Sequence, residues 1–168
     1  MANPDGSVND ALKKLYGDLA RGGAGLIITG HICVEPRGQY TPNQMRIHDD
    51  SLVPGMAELV DVVHSAGGTI FAELAHAGSQ SVIPDNTPVA PSVIPNAIFE
   101  RDPMELDEGG IEEVIAAFGN GAGRAKEAGF DGIHIHGGNG YLLSEFTSPH
   151  ANRRADDWGG DALRRGRF

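Results

Sequence analysis

The stretch that decides the reading is GFDGIHIHGGNGYLLSEFTSPHANRRADDWGG, residues 129–160. It opens as a short apolar strand and then sets His136, Asn139 and Tyr141 around Gly137, Gly138 and Gly140. Side chains alternate along a strand, so His134 and His136 share one face and Ile133 and Ile135 the other. His136 ends the strand, and the glycines let the backbone turn tightly and approach a flat ligand. Asn139 and Tyr141 follow closely enough to converge on the same spot. Two polar groups that hydrogen-bond an oxygen, beside a phenol of ordinary pKa ~10, suit polarising a carbonyl and protonating the carbon of a developing enolate. Taken alone, His-x-x-Asn-x-Tyr reads equally well as a glycine-rich connection with incidental polar residues.

Working outward, one module recurs three times. Leu12, Leu15, Tyr16 and Leu19 make a helical stripe that stops at Gly22-Gly23 and leads into the apolar run GLIITGHICV. Met56, Leu59, Val60 and Val63 repeat it, with Asp50 or Ser51 as the cap, Pro54 in the first turn, Gly67-Gly68 as the stop and TIFAEL as the strand. Ile111, Val114, Ile115 and Phe118 make the third stripe, ahead of GFDGIHIHG. Helix-glycine-strand units of this kind predict parallel strands, starting near residues 25, 69 and 131, joined by crossovers. Long loops follow each strand, over 35–49, 75–106 and 137–160, which is how (β/α)8 barrels build active sites. The predicted fold class is therefore α/β, a partial (β/α)8 TIM barrel of about three parallel strands with flanking helices. A whole barrel takes ~250 residues, and DALRRGRF reads as the start of another helix. Residues 1–168 are expected to form one incomplete barrel domain, with barrel strand one ahead of Met1 and later strands beyond Phe168. Three strands alone expose two edges and an apolar inner face, which predicts low stability or self-association as a homo-oligomer.

The 168 residues carry a formal charge of −10 and no Lys/Arg stripe, which argues against nucleic acid and anionic membrane surfaces as partners. No apolar run approaches the ~18 residues of a membrane span, and MANPDGSVND does not read as a secretory signal. Cys33, the only cysteine, reads as a buried structural thiol, and a reducing cytoplasm is the simplest address.

The stretch IHIHGGNGYLLSEFTSPHANRRADDWGG resembles the signature of the Old Yellow Enzyme family of FMN-dependent NAD(P)H oxidoreductases. His136, Asn139, Gly140, Tyr141, Leu142, Phe146, Ser148, Pro149, Asn152, Arg154, Asp156, Gly159 and Gly160 fall on its pattern, with Trp158 aromatic for aromatic. The resemblance continues through ARGGAGLIITGH, RIHDDSLVPGM, AELAHAG and AFGNGAGRAKEAGFDG, and so covers the whole chain. It implies FMN across the mouth of a barrel, NADH or NADPH as reductant, and hydride transfer to a small molecule with a carbonyl-activated double bond. It further implies that His136 and Asn139 bind the substrate carbonyl, that His136 lies near the flavin, and that Tyr141 is the proton donor. Gly30 and His31 fall where flavin contacts are expected, although His31 reads equally as a packed loop histidine.

Two positions depart from the family. Glu73 stands where glutamine is usual. Either burial keeps it protonated, or FMN is held less tightly or at lower potential, or the carboxylate accepts from flavin N3–H. Ser79 replaces an arginine that often follows the H-A-G motif. Three rival readings are kept in view. His134-x-His136 is also the pattern of metal-dependent amidohydrolases, with Glu73 or His76 as a third ligand, although the family resemblance implies no metal. The chain is alternatively an inactive, truncated remnant that does not hold FMN. GNGAGR, residues 119–124, resembles a dinucleotide loop but falls inside a helical pattern. His134 is expected to be structural, and His48, His64 and His150 ordinary surface or loop residues.

Overall fold

A computed structural model of the chain describes residues 1–95 and 101–168. The helices are α1 (Asp10–Arg21), α2 (Val53–Ser65), α3 (Glu108–Glu127), α4 (Leu142–Thr147) and α5 (Ala162–Arg165). The strands are β1 (Ile27–Ile28), β2 (Ile32–Cys33), β3 (Ile70–Ala75), β4 (Val89–Ala90), β5 (Met104–Glu105) and β6 (Gly132–Ile135). As the repeated module predicts, the main sheet is wholly parallel, with β3 in the centre, β6 on one side, and β1 and β2 on the other.

The run GLIITGHICV reads as a single strand, but it is broken. Ile27 pairs with Ile70 and Ile28 with Phe71, whereas Ile32 pairs with Leu74 and Cys33 with Ala75. The partner advances one residue fewer than this run does, so Thr29, Gly30 and His31 contain a bulge. The Thr29 hydroxyl compensates by accepting from the Glu73 amide at 3.0 Å. On its other side the run is flanked by residues 45–47, the Cys33 amide donating to the Met45 carbonyl and Ile47 to that of Cys33.

The helices cover one face of this sheet. Leu12, Tyr16 and Ala20 of α1, Met56, Leu59, Val60 and Val63 of α2, and Ala125 of α3 pack on Ile70, Ala72 and Leu74. Each fully buried aliphatic side chain contributes on the order of 1.5–3 kcal/mol. The helix starts are capped from Asn9, whose side chain accepts from the Leu12 amide, and from Asp107, which accepts from Gly110. Asp49, one residue ahead of the expected Asp50 or Ser51, accepts from the Ser51 amide and caps the short 3-10 turn before α2, with Pro54 in its first turn as expected. The interior glycines do not break α3, which runs for 20 residues and contains the whole of 119–124.

The apolar stripes are not wholly buried. Leu15, Leu19, Leu26 and Ile28 are exposed toward the β1 side, and Ile115, Ile133 and Ile135 toward the β6 side. The loops hold structure that periodicity does not reveal. Val89 and Ala90 pair in parallel with Met104 and Glu105. A second core of Val89, Leu106, Ile111, Val114, Leu142, Phe146 and Trp158 packs them against α3 and α4. Asp131 ties the start of β6 to the sheet by accepting from the Ile70 amide at 2.8 Å and pairing with His64 of α2 at 2.9 Å.

Candidate active site

The side chains expected to act stand at the C-terminal ends of these strands. Glu73 of β3 lies beside His134 of β6 in the register, and both occupy the face turned away from the helices. The strand pairing continues one step, the His136 amide donating to the Leu74 carbonyl at 2.9 Å, and this sets the His136 ring on the same face. Its Nδ1 lies 2.8 Å from Glu73 Oε1. His134 is half-exposed and its Nε2 is 4.0 Å from the same oxygen. His136 is buried, and its Nε2 has no hydrogen-bond partner among the described residues. An unsatisfied buried ring nitrogen is costly in a folded chain, so it marks where a ligand atom would be welcome.

Asn139 (φ +57°) and Gly140 (φ +74°) form a left-handed corner that turns the chain back over the strand end. The Asn139 carbonyl accepts from Gln80 at 2.7 Å, while the residue itself is exposed. Tyr141 follows, buried, with its ring centroid 4.7 Å from His136 and 5.3 Å from His31. Burial, reinforced by Tyr40 and by the charge of Glu73, pushes the Tyr141 phenol up to about 12. It holds its proton at neutral pH. His31 completes the group at 5.3 Å from His136, and burial lowers its proton affinity despite the nearby Glu73 carboxylate. Its neighbour Gly30 is exposed in the bulge, its amide donating to the Tyr16 hydroxyl at 2.9 Å. Thus His31, Glu73, His136 and Tyr141 come together, Gly30 lies at the rim, and Asn139 forms the turn above them.

The loop after β3 is held from below. The Gly78 amide donates to His76 Nδ1 at 3.0 Å, so His76 Nε2 carries the proton that goes to Glu35 Oε1 at 2.8 Å. Burial would raise the Glu35 carboxyl, but His76 and Arg37 outweigh it and leave it below its ordinary value. His76 is fully buried in this network. It is therefore spent as the third ligand that the amidohydrolase reading needs, and Glu73 is already bonded to His136. Among the described residues no group of three or more His, Cys, Asp or Glu side chains could hold a metal ion.

Glu145 of α4 accepts from the Ser79 amide at 3.0 Å and closes the same loop. Gly78 (φ +62°) has to be glycine here, because a Cβ would collide with the Glu145 carboxylate.

Tyr40 was not among the expected site residues. Its ring lies 5.7 Å from that of Tyr141, brought there by the loop after β2. The only signal for it was its place in a long loop at a strand's C-terminal end.

The model of the NADH:flavin oxidoreductase / NADH oxidase family matches residues 1–168. The chain belongs to that family. It is 45% identical over 172 residues to the NADH oxidase of Thermoanaerobacter brockii, covering 100% of this chain and 26% of that protein. Against the NADPH dehydrogenase of Geobacillus sp. (strain WCH70) it is 45% identical over 164 residues, 98% of this chain and 48% of that one. Among solved structures, morphinone reductase superposes with a TM-score of 0.89 at 30% identity, covering 99% of this chain and 49% of its own. The old yellow enzyme homologue from Zymomonas mobilis gives 0.86 at 30% identity, with 98% and 49% covered. The fold is accordingly part of a (β/α)8 barrel, and the chain spans about half the length of the structures it matches, or less of the longest relatives. FMN, with NADH or NADPH, is the family's cofactor set. Among the described residues no helix is long and apolar enough to cross a membrane.

Proposed function

We propose that this chain supplies the substrate side of an FMN-dependent ene-reductase, which reduces an activated C=C bond at the expense of NADH or NADPH. The observation that carries the reading is the buried, unpartnered Nε2 of His136 beside the protonated phenol of Tyr141, with ring centroids 4.7 Å apart. A carbonyl oxygen at Nε2 would satisfy that nitrogen. Asn139, on the adjoining turn, supplies a second donor to the same oxygen. Drawing electron density onto the oxygen leaves the β-carbon electron-poor, and the developing enolate then needs a proton at the α-carbon. Tyr141 holds that proton, since a phenol pushed up to about 12 stays protonated until a strong base forms next to it.

The residues fit a flat cofactor. Gly30 leaves the bulge without a side chain at the rim, and His31, Glu73 and His136 would hold the group beside it. When bound, FMN supplies the hydride relay between the nicotinamide and the alkene. A carbonyl-activated alkene is the substrate class, and self-association is the expected response of the exposed apolar residues on both sides of the sheet. The domain reading is retained in the same terms, with residues 1–168 as one incomplete barrel domain lacking barrel strand one and the later strands.

Two measurements test this. The purified chain is incubated with FMN, desalted and scanned for retained visible flavin bands. In a completed barrel, His136→Ala and Tyr141→Phe are assayed for NAD(P)H-dependent reduction of a cyclic enone. Both variants should lose at least tenfold in rate, in line with the ~10²–10⁴-fold value of a positioned proton donor. Unchanged enone reduction in both would sink the assignment.

A further inference from the structure

A cavity of about 300 Å3 lies between residues 79–95 and residues 140–151. Gln80 and Ser92 on one side, and Ser144 and Ser148 on the other, give it polar walls, and Glu145 is part of them. It reaches the corner above the strand ends through Gly140, but none of His31, Glu73, His136 and Tyr141 lines it. Glu145 is 5% exposed, its Oε1 accepts from the Ser79 amide at 3.0 Å, and its Oε2 has no partner among the described residues. No lysine or arginine lines the cavity, and among the described residues no cation offsets the burial of this acid.

A buried carboxyl is tolerated in one of two ways: it keeps its proton, or a cation comes to it. Alone, Glu145 takes the first way, burial holding its proton up to about pH 7. The cavity opens the second. We propose that it binds a small organic cation, a guanidinium or a primary ammonium, with Glu145 as the ionic anchor. This goes beyond the ene-reductase reading and does not depend on it. An ionised carboxylate can only accept, so its ligand has to donate, and a charged N–H makes the strongest such bond while cancelling the buried charge. The terminal torsion of a glutamate is broad, so a modest turn presents Oε2 to the cavity with the rest of the side chain in place. The volume is at the small end of ligand sites, which fits a ligand of a few carbons.

The rest of the wall leaves Glu145 as the anchor. His150 is the other titratable side chain among the described residues that line the cavity, and it is exposed, where water screens it. Gln80 spends its amide hydrogen on the Asn139 carbonyl at 2.7 Å. The Ser92 hydroxyl accepts from the Arg153 amide at 3.0 Å and keeps a lone pair for a second N–H of the ligand. An anionic ligand meets no lysine or arginine here, and the chain's formal charge of −10 works against it.

The test is a 1H–15N amide-shift titration of the flavin-free chain above pH 7, where Glu145 is ionised. The probes are methylguanidinium and ethylammonium chlorides, with tetramethylammonium and sodium chlorides as controls. At least one of the two N–H cations should give saturable shifts at Ser79, Gln80, Ser144 and Ser148. Tetramethylammonium, a cation with no N–H, and sodium should give none. Glu145→Gln, which keeps the acceptor for the Ser79 amide, should weaken binding about tenfold or more, as loss of one partner of a buried charge pair does. Ser144→Phe, which keeps the acid and fills the cavity, should abolish it. Absence of saturable shifts in the wild type overturns the proposal without any variant having to fold. So does unchanged affinity in either variant, and so do the same shifts with tetramethylammonium. Because no flavin is involved, retention or loss of FMN bears on the proposed function alone.

Discussion

Replacing Glu145 by glutamine isolates the one acid, among the described residues, that this fold buries without a full set of partners. Its carboxyl is 5% exposed, Oε1 accepts from the Ser79 amide, and Oε2 has no partner among the described residues. Burial, only partly offset by the bonds from Ser79, raises it from the ordinary 4.5 to about 7. The folded chain therefore binds this proton more tightly than the unfolded chain. Its stabilising contribution is fully present below about 4.5, is lost as pH rises toward 7, and does not change above that. At about 1.4 kcal/mol per pH unit, the loss across the window is roughly 3 kcal/mol. The glutamine side chain keeps the acceptor for the Ser79 amide and cannot ionise. The assay is urea unfolding of wild type and Glu145→Gln at a series of pH values, taking the difference so that titrations common to both cancel. The two should be close in acid, with the variant ahead by roughly 3 kcal/mol above neutrality. A difference that stays flat between pH 4.5 and 7 would refute the reasoning, and one that grows toward acid would reverse its sign.

Two further outcomes follow from the same packing. Cys33 is fully buried, donates to the Glu35 carbonyl and has its thiol pushed up to about 12, chiefly by burial. It should resist a disulfide reagent at neutral pH until denaturant is added, and prompt labelling of the native chain would show that the β2 end opens. Leu74 is fully buried between the helices at the centre of β3. Leu74→Ala should cost about 2–5 kcal/mol by chemical denaturation, and a cost below about 1 kcal/mol would mean that the helix layer collapses into the gap.

The helix layer was legible because each helix carries a 3.6-residue stripe that ends in glycine, and β3 and β6 were legible as apolar runs after those stops. The exposure of Leu15, Leu19 and Ile115 was not, since periodicity identifies an apolar face without saying what covers it. The bulge at Thr29–His31 was hidden for a related reason. GLIITGHICV reads as continuous strand, and the extra residue appears only when its register against β3 is counted. The β4–β5 pair is two residues long on each side, too short to show a period. Glu145 did leave a trace. Leu142, Glu145 and Phe146 fall at i, i+3 and i+4, so an acid occupies the buried stripe of α4, and that position alone marks it as unusual.

The pairing of Glu73 with His136 rather than His134 shows why site residues can be legible while their partnerships are not. Alternation puts both histidines on one face, and the register sets His134 directly beside Glu73. By that count His134 should be the partner. The next inward position on β3 is Ala75, however, a fully buried residue whose single methyl leaves room for the ring at the end of β6. Tyr141 packs over that ring from the turn at Asn139 and Gly140, excluding solvent from one side. His134 has no such cover and stays half-exposed, where water competes for its hydrogen bonds. The carboxylate therefore goes to the ring that is buried, because a hydrogen bond shielded from water is worth more than one exposed to it. Three features decide this, namely a small residue on β3, a left-handed corner after β6 and an aromatic lid. The first lies far along the chain from the other two and meets them only once the chain has folded.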